Sequence, residues 1–240
     1  MKYKITILDT PVDNFSVNIY MILNTKKNPN FRLPFDKRLE NKDKKNFELV
    51  ITRFDENIEW SNNYKKFRTI YNKGPDNLNC ECIQRPNFGR DGETILYHII
   101  NSWNNLADIT FFCQGALNDR SDQMLKMDHI KNYIECKNKY YVFEKRRGPP
   151  RGTTFYNFPK TISQLWYEIF NEPYSSNYSW CGGMWISVRK EVIKNVPLEK
   201  YKQLLSMFHK YHDEKNDKTG RRMGIYLERL LVVILNKYNK

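Results

Sequence analysis

One stretch, NFGRDGETILYHIINSWNNLADITFFCQG at 87–115, restricts the fold more than any other part of the chain. A glycine-containing turn leads into a helix whose apolar residues Ile95, Leu96, Ile99, Ile100 and Trp103 recur at the helical period. Asp91 stands where an N-cap is wanted. After a short polar connection the pattern becomes a run of β-formers, DITFFC at 108–113, that stops at Gln114-Gly115. Turn, helix and strand in this order belong to an α/β sheet, in which ligands sit at the loops leaving the carboxyl ends of strands. The residues just after Phe112 are therefore the first place to look for a site.

The flanking segments extend the same pattern. FELVITRF at 47–54 reads as a buried strand, DENIEW as the opening of a helix capped by Asp55, and RTIY at 68–71 as a second strand ended by the turn Asn72-Lys73-Gly74-Pro75. Further on, YYVF at 140–143 and MWISV at 184–188 read as strands, KRRGPPRG as an open loop and Trp180-Cys181-Gly182-Gly183 as a turn. Helices are expected at 161–170, 189–195 and 198–211, the last two separated by Pro197, and, after a polar break at 212–220, through Met223, Leu227, Leu230, Leu231, Ile234 and Leu235. Residues 1–46 read as an N-terminal pair of strands (3–8 and 15–23) with an exposed polar connection, and 47–240 as one α/β domain. At 240 residues such a domain buries a substantial core.

The net charge of +13 favours polyanions: nucleic acid, anionic membrane or nucleotide diphosphates. Most of that charge is scattered lysine without a nucleic-acid motif, so nucleic acid ranks last, and peripheral contact with an anionic membrane stays open. Lys145-Arg146-Arg147 is a local cluster. Cys80, Cys82, Cys113, Cys136 and Cys181 are odd in number, and their CxC is not a zinc or redox CxxC, so reduced thiols are expected. With no signal-peptide pattern and no apolar run near ~20 residues, a cytoplasmic protein is expected. Nucleophile-elbow and HExxH motifs are absent, and GRDG lacks the glycines of a Walker or dinucleotide loop. His209 and His212 near Asp213 read as solvent-exposed.

Candidate site residues come from the strand ends. Arg53 and Asp55 follow the first core strand, Asn72 and Lys73 the second, Gln114 the third. Arg53 and Lys73 suit phosphates, and Asp55 suits a ribose or base. Arg90 precedes a helix start, where an anion is welcome. Glu228 stands at the rim of the apolar stripe of the last helix, where partial burial would raise its pKa toward that of a general base. Each of these, taken alone, reads first as a surface, capping or ion-paired residue and only second as a ligand or base.

ITRFDENIEW, IYNKG, NFGRDGETILYHIINSWNNLADITFFCQG and GGMWISVRKEVI together resemble the domain of unknown function 3431 family over roughly residues 48–235. The chain departs from that pattern at Asp91, where Glu is usual, and at Ile95, where Tyr is usual. The family is similar to glycosyltransferases of the GT-A type and, distantly, to the core-2/I-branching family. The resemblance implies a GT-A-like nucleotide-sandwich mixed sheet flanked by helices. It implies transfer of a sugar, with inversion, from a nucleotide-diphosphate sugar to a glycan or protein hydroxyl, with Glu228 as base and Trp185 beside the acceptor. One departure matters: the usual metal-binding Asp-x-Asp is replaced by Cys113-Gln114-Gly115, with no carboxylate until Asp119. Mn or Mg would enter only if Asp119 or another carboxylate substitutes. Otherwise the cations Lys145, Arg146, Arg147, Arg221 and Arg222 are available to the diphosphate. Two rival expectations accompany this one: a catalytically inactive carbohydrate-binding or scaffold module of the same fold, and a basic nucleic-acid-binding protein.

Overall fold

The computed structural model describes residues 43–76, 78–116, 132–142, 145–147, 160–174, 179–181, 185–211 and 221–239. The strands expected at 3–8 and 15–23, most of the polar connection before 47, Asp119, Asp213 and the break at 212–220 lie outside the described residues.

In chain order the elements are β1 (Phe47–Arg53), a 3-10 helix (Glu59–Tyr64), β2 (Arg68–Asn72), β3 (Ile83–Gln84), α1 (Arg90–Asn101) and β4 (Ile109–Gln114). After helical residues at 132–135 come β5 (Tyr140–Val142), β6 (Lys145–Arg147), α2 (Ile162–Phe170), β7 (Ser179–Cys181), β8 (Ile186–Arg189), α3 (Lys190–Asn195), α4 (Leu198–Tyr211) and α5 (Arg221–Tyr238). The protein is an α/β fold with a mixed six-stranded sheet in the order β3-β2-β1-β4-β8-β5. β3, β2, β1 and β4 are parallel, and β8 runs antiparallel to both β4 and β5. β6 and β7 form a separate antiparallel ribbon.

Both faces of the sheet are covered, which is why β1 and β4 read as nearly continuous apolar runs. Phe47, Leu49 and Ile51 of β1 and Ile109, Phe111 and Cys113 of β4 alternate onto one face, where Trp60, Tyr64, Phe67 and Tyr133 cover them. Val50 and Phe112 point to the other face and meet Ile95, Leu96, Ile99 and the buried sides of α2 to α5. α2 starts where its sequence asks it to: Thr161 accepts from the Gln164 N–H at 3.2 Å, and Gln164 accepts from the Thr161 N–H at 2.8 Å, a reciprocal capping box.

Three local expectations are corrected. α1 is capped by Gly89 in the left-handed region, at φ 61°, and Asp91 lies inside its first turn. The segment after Asp55 forms the 3-10 helix Glu59–Tyr64 with Ile58 at the N-cap, so Asp55 caps nothing there. Lys145–Arg147 and Ser179–Cys181 pair as strands, although they read as a loop and a turn. Only in the last case is the deciding partner remote in sequence, since each strand of the ribbon exists through the other's backbone groups.

Strand order also shows where ligands belong. From β1 the chain moves outward through β2 to β3, then returns through α1 to place β4 on the other side of β1. β1 and β4 are thus neighbours in the middle of the sheet, with β2 and β3 on one side and β8 and β5 on the other, and a ligand crevice is expected at their carboxyl ends.

Candidate functional site

That crevice is occupied by a cleft of about 240 Å³. Four stretches of chain build it: Thr52 to Glu56 at the end of β1 and just after it, Lys73 after β2, Asn87, Arg90 and Asp91 at the start of α1, and Gln114 at the end of β4. Among the residues expected from the sequence, Arg53, Asp55, Lys73, Arg90 and Gln114 come together in it.

Their roles differ sharply. Arg53 is 5% exposed and committed to the scaffold. Its guanidinium grips both carboxylate oxygens of Asp76 at 2.8 and 2.6 Å, and also donates to the Glu56 carbonyl at 2.8 Å, the Phe54 carbonyl at 3.1 Å and Asn72 Oδ1 at 2.8 Å. The Asp76 carboxyl is held below its usual range chiefly by this guanidinium. Asn72, fully buried, continues the clamp by donating to the Asp76 carbonyl and to Gln84. Gly74 completes it: a Cβ there would lie 1.6 Å from the Phe54 carbonyl oxygen, so only glycine lets the two loops close. Arg53 and Asn72 thus lock the loops after β1 and β2 together, and neither is a spare ligand for phosphate.

Lys73 is also buried, yet not saturated. It donates to Glu93 Oε2 at 2.5 Å and to the Phe88 carbonyl at 2.7 Å, leaving one of its three N–H groups without a partner among the described residues. Arg85 takes the other oxygen of Glu93 at 2.6 Å. Burial lowers the Lys73 pKa and the Glu93 charge opposes that. Two cations on one carboxylate leave this cluster with a positive excess beside the cleft.

Arg90 is exposed, and its guanidinium makes no hydrogen bond among the described residues. Its backbone sits at φ 50°, directly after Gly89 at φ 61°. A Cβ on Gly89 would strike Glu93 Cβ at 2.7 Å and Phe208 at 2.8 Å, so this turn cannot relax by substitution. A left-handed arginine costs about 1–2 kcal/mol; here it aims a helix start and a free cation at the same opening. Asp55, likewise exposed, has no side-chain hydrogen bond among the described residues.

Asp91 is the residue that sequence reasoning missed. It is 6% exposed and accepts from Gln114 Nε2 at 2.7 Å. Burial raises its pKa; the Gln114 amide, its own backbone N–H, Arg90 and Lys73 work against that. Its place in GRDG suggested a cap, and no local signal distinguishes a capping aspartate from one turned toward a strand 23 residues away.

Compared with family models, with curated proteins and with solved structures, the chain finds no match. The site must be read from its own chemistry.

Among the described residues, Trp185 and Glu228 are not part of the cleft lining. Trp185 precedes β8, half-buried against the cluster on the sheet face opposite the main helices. Glu228 is half-buried on α5, one turn beyond Gly224, at the end of α5 that packs on the start of α1: a methyl on Gly92 would lie 3.1 Å from Leu227 and 3.4 Å from Gly224 Cα. Arg221 and Arg222 form the first turn of α5 and Lys145–Arg147 form β6, but their side chains lie outside the described residues. His209 is exposed and stacks on Phe88 at 4.7 Å. Cys80, Cys82, Cys113 and Cys136 are free.

A divalent metal is not served by the described part of the cleft. β4 ends in an amide at Gln114 where a carboxylate pair would be needed, and no group of three His, Cys, Asp or Glu able to hold a metal occurs among the described residues. No helix of the described residues is long and apolar enough to cross a membrane.

Proposed function

We propose that the protein is a glycosyltransferase-like enzyme with a GT-A-like sheet, which transfers a sugar from a nucleotide-diphosphate donor to a hydroxyl of a glycan or protein. One observation carries the reading. Four separate stretches of chain converge at the point where the strand order reverses, and they bring together an exposed arginine, a buried lysine with one N–H to spare, an exposed carboxylate and a buried carboxyl–amide pair in one cleft. Lys73 and Arg90 suit the diphosphate, Asp55 a ribose hydroxyl, and Asp91 with Gln114 a polar group at the floor.

In the transfer, the acceptor oxygen attacks the anomeric carbon and loses its proton to a base. The bond from that carbon to the diphosphate breaks, and the diphosphate leaves with the electron pair. A single displacement of this kind inverts the centre. Glu228, on the helix packed against the start of α1, is the base of this proposal. Donor turnover is measured with a panel of nucleotide sugars for the wild type and for Glu228→Gln. A loss of about 100-fold or more is expected, and full activity in the variant removes Glu228 from the mechanism.

The amide at Gln114 in place of a carboxylate favours a second reading, a catalytically silent carbohydrate-binding module. Thermal shift separates the two: nucleotide sugars stabilise an enzyme, whereas free glycans alone stabilise a lectin-like module.

A further inference from the structure

We propose that Asp91 and Gln114 form a hydroxyl-reading subsite that recognises the sugar of the donor, as distinct from its nucleotide. The inference rests on the donor reading of the cleft, in which Gln114 is expected near the diphosphate or donor sugar, and adds Asp91, to which sequence reading assigns no such role.

A carboxyl group buried to 6% exposure is normally held by a cation or by several N–H donors. Asp91 has neither as a direct side-chain partner: the neutral Gln114 amide is the one side chain that hydrogen-bonds it among the described residues. Glu93, two residues on, shows the alternative, with Lys73 at 2.5 Å and Arg85 at 2.6 Å. Lys73 is turned to Glu93, while Arg90 stays exposed, so both charges act on Asp91 only from a distance. The carboxyl nevertheless lines an open cleft, at a position reached by solvent or ligand. Its direct partners, the Gln114 amide and its own backbone N–H, carry no charge, and its opening to the cleft suits further donors of the same kind. Hydroxyl groups are such donors, and a sugar supplies adjacent ones. Gln114 completes the match. One amide hydrogen orients Asp91, and its carbonyl and second N–H can take a neighbouring hydroxyl. A carboxylate next to an amide presents acceptor, acceptor and donor to a vicinal diol, a pattern that a phosphate, which offers no donors when ionised, cannot satisfy.

The test measures affinity by calorimetry for UDP-glucose, UDP-galactose, UDP-N-acetylglucosamine, GDP-mannose and dTDP-glucose, and for UDP, GDP and dTDP, with wild type, Asp91→Asn and Gln114→Met. The expected result is one nucleotide sugar that binds more tightly than its bare diphosphate. Both variants then weaken that nucleotide sugar about 10-fold or more and leave the bare diphosphate within about 2-fold. Equal weakening of sugar and bare diphosphate, or no weakening, overturns the subsite while the cleft reading stands. Binding of no nucleotide to the wild type overturns the cleft reading and the subsite with it. Gln114→Met keeps the test decisive where Asp91→Asn fails to fold.

Discussion

The two ends of the sheet carry buried polar clusters of similar size, and they are finished differently. At the amino ends of β1 and β2, Glu48, His98 and Tyr71 border a cavity of about 330 Å³. There Lys44 donates to Thr69 at 2.5 Å, Thr69 donates to Glu48 at 2.5 Å, and the Tyr71 hydroxyl bonds His98 Nδ1 at 3.0 Å. His98 Nε2 faces Glu48 at 3.5 Å, close enough for charge to matter and long for a hydrogen bond. Most polar groups there are turned to one another, with His98 Nε2 left without a hydrogen bond among the described residues. At the carboxyl ends, Arg53–Asp76 and Lys73–Glu93–Arg85 close in the same way, but Asp55, Arg90 and the Asp91–Gln114 pair are left facing the cleft. Polar burial alone therefore does not mark a site. What marks it is polarity held rigid by neighbours that are themselves satisfied, yet left with unused hydrogen-bonding capacity.

Lys73→Met tests that contrast most severely. It removes one partner of an ion pair whose side chains are 1% and 0% exposed, and a loss of about 3 kcal/mol in urea unfolding is expected, the lower part of the usual range because Arg85 still faces Glu93. A loss under about 1 kcal/mol would show that Arg85 alone holds Glu93, and that Lys73 is freer for a ligand than its geometry indicates.

At the opposite end, Glu48→Gln is expected to cost about 1–3 kcal/mol near neutral pH, because the lost acceptor is ionised and buried. Burial raises the Glu48 pKa, but His98, Thr69 and Lys44 outweigh it, so the folded value is below the ordinary 4.5. Stability from a lowered carboxyl pKa is present above the unfolded value and is lost as pH falls through the folded one. The gap between wild type and variant should therefore close as unfolding is measured at successively lower pH below 4.5. A constant gap would mean that Glu48 contributes by packing and not by charge.

The smallest stability effect belongs to Arg90→Gly. Removing a left-handed non-glycine residue gains about 1 kcal/mol, and the extra backbone freedom of glycine takes about as much away, so the melting temperature should barely move. Nucleotide affinity should fall about 10-fold with the lost cation. Unchanged affinity would make Arg90 a structural outlier and the two ends of the sheet more alike than proposed here.

Local pattern in the chain was enough for β1, β2, β4, β8 and helices α1 to α5 among the described residues, because apolar period, a Thr161–Gln164 capping box and breakers such as Pro197 act between residues a few positions apart. It was also enough to name the strand ends as the place to look, and Arg53, Asp55, Lys73, Arg90 and Gln114 do share one cleft. The strand order, the β6–β7 ribbon and the two-residue β3 were decided by tertiary structure, since a short strand exists only through its neighbour's backbone groups. Tertiary structure also sorted the charges. Arg53 became a clamp because Asp76 lies 23 residues on, and Asp91 became a cleft carboxyl because Gln114 lies 23 residues on, while the same one-dimensional pattern suggested a phosphate ligand and a helix cap. Periodicity is a property of adjacent turns and pleats, so it is written locally. The partner of a buried charge is chosen by whatever the fold carries alongside it, and no window of sequence contains both.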